Sequence, residues 1–169
     1  MIKYATPLLM TASLALAGCA KKPPEELPPA PVGTAPTPTP TGPSGPGYAP
    51  GSQQDFLANT MSDRILFDTD KFNVDQRDQA ILQSQAQWLA RNPNPRITIE
   101  GHADERGTRD YNLALGERRA NAAKNYLASL GVSPARMTTV SYGKERPEAL
   151  GSNESAWAQN RRAVSVVVR

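Results

Sequence analysis

The sequence contains very little cysteine and histidine. Its 169 residues include one cysteine, Cys19, and one histidine, His102. A single cysteine cannot form an intrachain disulfide, and one residue of each type cannot build a multi-cysteine or multi-histidine metal site. A disulfide scaffold and a Cys/His metal centre are therefore excluded, and we expect no cofactor.

The sequence also lacks a strong excess of charge of either sign. It has 19 Lys and Arg residues against 16 Asp and Glu, a net charge of +3, and the basic residues are scattered. This distribution is not typical of a nucleic-acid-binding protein, which usually concentrates basic residues in a patch. We therefore expect the protein to bind a specific polar ligand rather than a polyanion.

No apolar run in the sequence reaches the roughly 20 residues that a membrane-spanning helix needs. The most apolar stretch extends from Ala5 to Ala17 and follows Lys3. A positive charge before a short apolar segment is typical of a secretory signal peptide. We predict that residues 1–18 form such a signal and that the protein is exported.

The predicted signal ends at Leu16-Ala17-Gly18-Cys19, which resembles the bacterial lipobox. The resemblance implies cleavage before Cys19 and lipidation of its thiol, and two or more acyl chains anchor a protein stably. Ala20 is not aspartate, which in such lipoproteins implies sorting to the outer membrane with the domain facing the periplasm. An ordinary cleavage site beside an incidental cysteine is the alternative.

Proline is concentrated in the next segment. Between Ala20 and Gly51 lie 11 of the 16 prolines, with almost no large apolar residue. Such a composition cannot bury a core, and proline favours an extended conformation at ~3.1 Å per residue. We predict a disordered tether at residues 19–55 with a reach on the order of 100 Å. An inert linker is the alternative.

Beyond the tether, residues 56–169 have the composition of one compact domain in which strands and helices alternate. This alternation indicates an α/β (α+β) fold in which helices pack on one face of a sheet. The predicted strands lie at 64–67, 96–100, 137–142 and 163–168. The predicted helices lie at 74–91, 110–130 and 154–159, and Thr108 is predicted to cap the second of them. The apolar face of the first helix is predicted to hold Ile81, Leu82, Gln85, Trp88 and Leu89.

The densest polar stretch runs from Gly101 to Thr108, between a predicted strand and a predicted helix. Folds of this class often bind ligands at such a junction. A metal site formed by His102, Asp104 and Glu105, or acid–base catalysis by the two carboxylates, is conceivable. Both are weakly supported, because adjacent side chains usually point apart and no second histidine is present. We expect His102 to be a structural, hydrogen-bonding residue.

The second long helix places two neighbouring arginines differently. At about 100° per residue, Arg119 lies roughly 70° from the centre of the apolar stripe and Arg118 nearly opposite it. Arg119 is therefore expected at the border of the core, presenting its guanidinium outward for bidentate recognition of a carboxylate. An internal salt bridge is the alternative. The predicted stripe consists of Leu113, Ala120, Ala123, Leu127 and Leu130.

An ordered series of motifs runs through the domain. The motifs are Phe67-Asp68-Thr69-Asp70-Lys71, the run from Gly101 to Thr108 with Tyr111-Asn112, Gly116-Glu117-Arg118-Arg119-Ala120-Asn121, Ser141-Tyr142-Gly143-Lys144-Glu145-Arg146-Pro147, and Asn160-Arg161-Arg162-Ala163-Val164. Together they resemble the OmpA-like peptidoglycan-binding domain family over about residues 65–168. Ala103 fits the lipoprotein branch of the family, since porin-linked relatives more usually carry threonine there. Thr69, Phe72 and Arg109 depart from the commoner residues.

The resemblance implies a βαβαβ-type domain, with a mixed sheet of about four strands, that binds the diaminopimelate of peptidoglycan stem peptides. Asp104 matches the acidic residue that binds the diaminopimelate amine, and Arg119 matches the arginine that binds its carboxylate. For both Asp68 and Asp70, turn formation after a strand is the alternative to direct contact with the ligand. The other positions that match the ligand pocket are Phe67, Asp68, Thr108, Tyr111 and Leu115.

The resemblance also implies partners. Family members bind TolB, and the Tol-Pal system supports constriction of the outer membrane at cell division. We therefore expect peptidoglycan, TolB and the outer membrane as partners, and neither nucleic acid nor catalytic activity. A peptidoglycan hydrolase and a structural surface lipoprotein are the competing hypotheses.

The predicted anchor can be tested by the substitution Cys19→Ala. We expect the variant to lose membrane attachment and to incorporate no radioactive fatty acid during metabolic labelling. The melting temperature of its globular domain should not change, since a residue ahead of the tether contributes nothing to the core. Label retained by the variant would contradict lipidation at Cys19.

Overall fold

The structure is a computed structural model, and residues 48–168 are described. The predicted signal peptide, Cys19 and most of the predicted tether lie outside these residues. Among residues 48–168, no helix is both long and apolar enough to cross a membrane. The elements in chain order are α1 (Gln53–Asn59), β1 (Arg64–Leu66), α2 (Gln76–Arg91), β2 (Arg96–His102), α3 (Arg109–Ser129), a 3₁₀ turn (Pro134–Arg136), β3 (Met137–Gly143), α4 (Glu154–Asn160) and β4 (Arg162–Val168).

The four strands form one mixed sheet in the order β1-β4-β2-β3. Strand β4 is antiparallel to both β1 and β2, whereas β2 and β3 are parallel and are joined by a crossover through α3. The predicted α/β class and the four-stranded mixed sheet are confirmed. Because β1 and β2 run in the same direction, their carboxyl ends lie at the same edge of the sheet, and the loops that follow them meet there.

The core lies between the helices and one face of the sheet. Alternation along β2 turns Ile97 and Ile99 toward the helices, where both are fully buried. All five residues predicted for the buried face of α2 are indeed buried, Gln85 among them. The Gln85 amide donates to the carbonyl of Ser62 and accepts from the Ser165 hydroxyl, which explains how a polar side chain is tolerated there.

Helix α1 was not predicted, and its residues Gln53–Asp55 fall within the segment assigned to the tether. The helix is held by contacts with α2: Phe56 packs edge-on against Trp88 with 5.0 Å between ring centroids, and the Trp88 indole donates to Asp55 at 3.1 Å. Ser52 caps its first turn. These partners are distant in sequence, so the packed structure begins a few residues before the composition changes.

Helix α3 approaches strand β2 very closely at a pair of glycines. A Cβ atom on Gly101 would clash with the backbone carbonyl of Gly116, and a Cβ on Gly116 would meet the side chain of Ser141. The Ser141 hydroxyl in turn donates to the carbonyl of Leu113 in α3. Two residues without side chains therefore set the distance between the helix and the sheet.

The substitution Gly101→Ala tests this contact. Because the added methyl group meets backbone rather than a movable side chain, we expect a loss of unfolding free energy of about 3 kcal/mol or more. Ala114→Gly, on the exposed side of α3, is the control and should cost about 1 kcal/mol. Urea unfolding of both variants measures the difference, and equal losses would refute the close approach.

Candidate functional site

A cavity of about 280 Å³ opens where the loops after β1 and β2 meet the first turns of α3. Of the seven residues predicted for ligand binding, the structure brings Asp104, Tyr111, Leu115 and Arg119 together around it. The cavity is lined by Thr69, Asp70, Ala103, Asp104, Arg106, Gly107, Tyr111, Asn112, Leu115 and Arg119.

The loop after β2 is fixed by local hydrogen bonds. Gly107 has a φ of +85°, which an L side chain would oppose, and Thr108 then caps α3 by accepting from the Tyr111 amide at 3.3 Å. The Asn112 side chain donates to the carbonyl of Arg106 at 2.7 Å. Thr108 was predicted as a cap and as a pocket residue; it is the cap but does not line the cavity.

Asp104 is an almost buried carboxylate surrounded by arginine donors. Its side chain accepts from Nη2 of Arg106 at 2.6 Å and lies 3.4 Å from Nη1 of Arg161. Burial alone would raise the pKa of Asp104, but the hydrogen bonds from Arg106 and Arg161 outweigh burial and lower the pKa below its ordinary value. Asp104 is therefore negatively charged at neutral pH.

Arg119 is fully buried, with 0% of its surface exposed. Its guanidinium donates to three backbone carbonyls: Nε to Lys71 at 2.9 Å, Nη1 to His102 at 2.8 Å and Nη2 to Asp68 at 3.1 Å. Burial lowers the pKa of Arg119 to about 10, against the raising effect of the Asp104 charge, so it stays protonated at neutral pH. A guanidinium has five N–H donors, and these three bonds leave two.

The predicted position of Arg119 at the border of the core is wrong. Arg119 lies within the buried face of α3. Two residues of the predicted apolar stripe are less buried than expected: Leu113 is half-buried and Leu130 is 40% exposed. Arg119 tolerates this position because carbonyl oxygens replace its water of hydration. Arg118 is exposed as predicted, with its guanidinium 5.8 Å from the centre of the Phe72 ring.

The remaining predicted residues take different positions. Tyr111 is exposed at the mouth of the cavity, and Leu115 is buried in its wall. Phe67 and Asp68 line a neighbouring groove rather than the cavity. They still support the site, since the Phe67 ring centre lies 5.2 Å from the Arg119 guanidinium and Asp68 supplies one of the carbonyls that bind it.

Asp70 lines the cavity but was not among the predicted site residues. It has a φ of +57°, the one positive value at a non-glycine residue in the described part of the chain, and it accepts from the Tyr111 hydroxyl at 3.1 Å. Asx residues tolerate this backbone conformation better than most. The sequence signal was the Asp-Thr-Asp spacing, which does not reveal which carboxylate enters the cavity.

The metal and acid–base hypotheses gain no support from this geometry. Across residues 48–168, no group of three or more His, Cys, Asp or Glu side chains is placed to hold a metal. Asp104 is directed to arginines, whereas Glu105 accepts from the Trp157 indole at 2.9 Å. His102 is buried, as a structural residue would be, and its Nε2 lies 3.7 Å from Glu100. Neither ring nitrogen has a hydrogen-bond partner within 3.5 Å among the described residues, so the expected hydrogen bond is not formed at ordinary length.

Comparison with known proteins then identifies the family. Residues 66–161, more than half of the chain, match the OmpA family. The chain belongs to the OmpA family. It is 55% identical over 161 residues to the peptidoglycan-associated lipoprotein of Agrobacterium fabrum, covering 95% of this chain and 85% of the relative. It is 47% identical over 116 residues to the peptidoglycan-associated lipoprotein of Pseudomonas aeruginosa, covering 69% and 68%.

Solved structures agree with this OmpA-family assignment. The peptidoglycan-associated lipoprotein of Burkholderia pseudomallei superposes with a TM-score of 0.62 at 49% identity, covering 67% of this chain and 93% of that one. The C-terminal domain of Helicobacter pylori MotB superposes with a TM-score of 0.59 at 19% identity, covering 63% and 84%. The second likeness shows a shared fold alone.

The buried histidine beside the site predicts a pH dependence. Burial, with the charges of Arg162 and Arg146, lowers the pKa of His102 from 6.5 to about 4. The unfolded chain then binds more protons than the folded chain between these values, so stability falls as pH falls through this range, by about 3 kcal/mol. His102→Gln should remove this loss, as urea unfolding near pH 7 and pH 4 would measure.

Asp78 has the opposite effect, because burial raises its pKa to about 6 and its contribution to stability falls as pH rises. The contribution of Asp78 is the same in the wild-type chain and in His102→Gln, so it cancels when their unfolding free energies are subtracted. An acid-induced loss of stability that is the same with and without His102 would contradict the prediction.

Proposed function

We propose that this OmpA-family chain is an outer-membrane lipoprotein that binds peptidoglycan non-covalently and so tethers the outer membrane to the cell wall. The observation that carries the proposal is one small cavity lined by a buried carboxylate and a buried guanidinium, Asp104 and Arg119. The names of the relatives, peptidoglycan-associated lipoproteins over most of the chain, support the same function.

The chemistry of the cavity suits the diaminopimelate of a stem peptide. The side-chain end of this amino acid carries an ammonium and a carboxylate on one carbon, so it needs an acceptor and a donor a few ångströms apart. Asp104 supplies the acceptor, and we assign the donors to the two N–H groups left on Arg119, which borders the cavity but has no solvent-exposed surface in this structure. Leu115 offers an apolar surface to the methylene chain. Each charge-assisted hydrogen bond contributes roughly 1.5–3 kcal/mol.

The anchor and the partners extend the proposal beyond the cavity. The lipobox at Cys19 and the proline-rich segment after it support attachment of the domain to a membrane through a long, extended tether. The similarity to peptidoglycan-associated lipoproteins supports a place in the Tol-Pal system, with TolB as a protein partner and a role in constriction of the outer membrane at division.

Two rival functions are separated by one experiment with purified cell-wall sacculi. A binding protein should cosediment with sacculi and release no soluble muropeptides. A hydrolase would release them, which the arrangement disfavours because Asp104 is paired with arginines and is not poised to exchange a proton. A purely structural surface lipoprotein would stay in the supernatant.

The two central residues can be tested by calorimetric titration of the full-length chain in detergent with a diaminopimelate-containing stem peptide. Asp104→Asn removes the charge that binds the ammonium, so affinity should fall about 10- to 150-fold. The substitution Arg119→Lys should lower the affinity by a similar factor. We choose lysine because alanine would leave three buried carbonyls without a donor and destabilise the fold.

Arg118→Ala is the matched control. It removes the same charge from the neighbouring position of α3, but its side chain faces solvent, where a lost ion pair costs only about 0–1 kcal/mol. Melting curves of all three variants separate lost binding from lost folding. If Arg118→Ala weakened binding as much as Asp104→Asn, the cavity would not be the ligand site.

A further inference from the structure

The carboxylate of Asp104 already has a cation bound to it. Nη2 of Arg106 lies 2.6 Å from Oδ2, and Nε of Arg106 lies 3.2 Å from Oδ1, so the guanidinium spans both oxygens. The backbone amide of Arg106 also donates to Oδ1, at 3.1 Å. The loop thus folds back on itself and places its own positive charge at the position proposed for the ligand's ammonium.

The acceptor capacity of Asp104 is full in this state. A carboxylate offers about four lone-pair sites. Two donors come from the Arg106 side chain, one from the Arg106 amide, and one from Nη1 of Arg161 at 3.4 Å. An ammonium that binds Asp104 must therefore replace at least one of these donors.

The donors differ in how easily they can leave. The Arg161 side chain is buried and is held by the carbonyl of Phe67 at 2.9 Å and by Glu154 at 2.7 Å. The Arg106 side chain is 40% exposed, and besides Asp104 it contacts the Thr69 hydroxyl at 3.2 Å and the face of Trp157 at 4.2 Å. An exposed arginine is readily rehydrated, and the Arg106 guanidinium can keep a cation–π contact with the Trp157 ring after it leaves Asp104.

We propose that the Arg106 side chain is an internal competitor for the ligand's ammonium group, and that a ligand binds Asp104 by displacing it. The proposal rests on the function proposed for the cavity. Its consequence is selectivity, because a ligand that carries its own cation replaces the Arg106 charge. A ligand whose amine is acylated gives Asp104 nothing in exchange and leaves Arg106 in place.

Titration of the full-length chain in detergent with a diaminopimelate stem peptide tests the competition. Removing a competitor strengthens binding, so Arg106→Ala should raise affinity about fivefold, in line with the loss of one partly exposed ion pair. Arg106→Gln, which keeps the length of the side chain, should do the same. With the ε-N-acetylated peptide, the wild-type chain and both variants should bind equally weakly.

A double-mutant cycle identifies Asp104 as the group competed for. In an Asp104→Asn background, Arg106→Ala should change affinity by less than about twofold, because no carboxylate remains to be released. Arg109→Ala is the control for net charge. This nearby arginine is exposed, lies 3.3 Å from Glu145 and does not line the cavity, so its loss should leave affinity unchanged.

Trp157 gives a direct readout of the displacement. In a chain carrying Trp88→Phe, Trp157 is the single tryptophan, and the contact of its ring with Arg106 should change when the peptide binds. When the peptide binds, the emission wavelength of Trp157 should therefore shift in the Trp88→Phe protein that retains Arg106. It should not shift in the Trp88→Phe protein that also carries Arg106→Ala.

The outcomes separate this inference from the function on which it rests. If the wild-type chain binds no stem peptide, the proposed function fails. If the wild-type chain binds but Arg106→Ala leaves affinity unchanged or lowers it, then Arg106 does not compete, and the inference alone is overturned.

Discussion

The site depends on one buried cation. The guanidinium of Arg119 binds carbonyl oxygens of Asp68 and Lys71 in the loop after β1 and of His102 at the end of β2. No backbone group can donate to three carbonyls that converge from two segments, whereas a guanidinium presents five donors in a plane. Arg119 therefore fixes both loops to α3, and the cavity is the space that this arrangement leaves open.

The close approach of α3 to the sheet makes that binding possible. Gly101 and Gly116 let the helix backbone lie directly on β2, and Arg119 follows Gly116 by nearly one turn. The side chain thus starts near the carboxyl end of β2, within reach of the His102 carbonyl. Asp104, two residues further along, then lies close enough for its charge to favour the protonated form of Arg119. The opposite charges at the cavity are held by the packing of the core.

Features set by local pattern could be predicted from the sequence, and features set by distant partners could not. The five buried positions of α2 and the cap of α3 at Thr108 follow from helical spacing and capping chemistry. The depth of Arg119 depends on carbonyls some 17 to 51 residues away, so a count of apolar side chains placed it wrongly at the border. The entry of Asp70 into the cavity depends on its positive φ, which sequence spacing does not encode.

The position of β4 affects how the domain can assemble. Although it is the last strand along the chain, β4 lies between β1 and β2 and supplies the hydrogen bonds that join them. Until β4 has been synthesised, β1 and β2 lack the strand that joins them. The complete four-stranded sheet can therefore form only once residues 162–168 are available. This delay suits a protein proposed to cross the inner membrane before it folds, because a transport channel for unfolded chains would then receive it without prior unfolding.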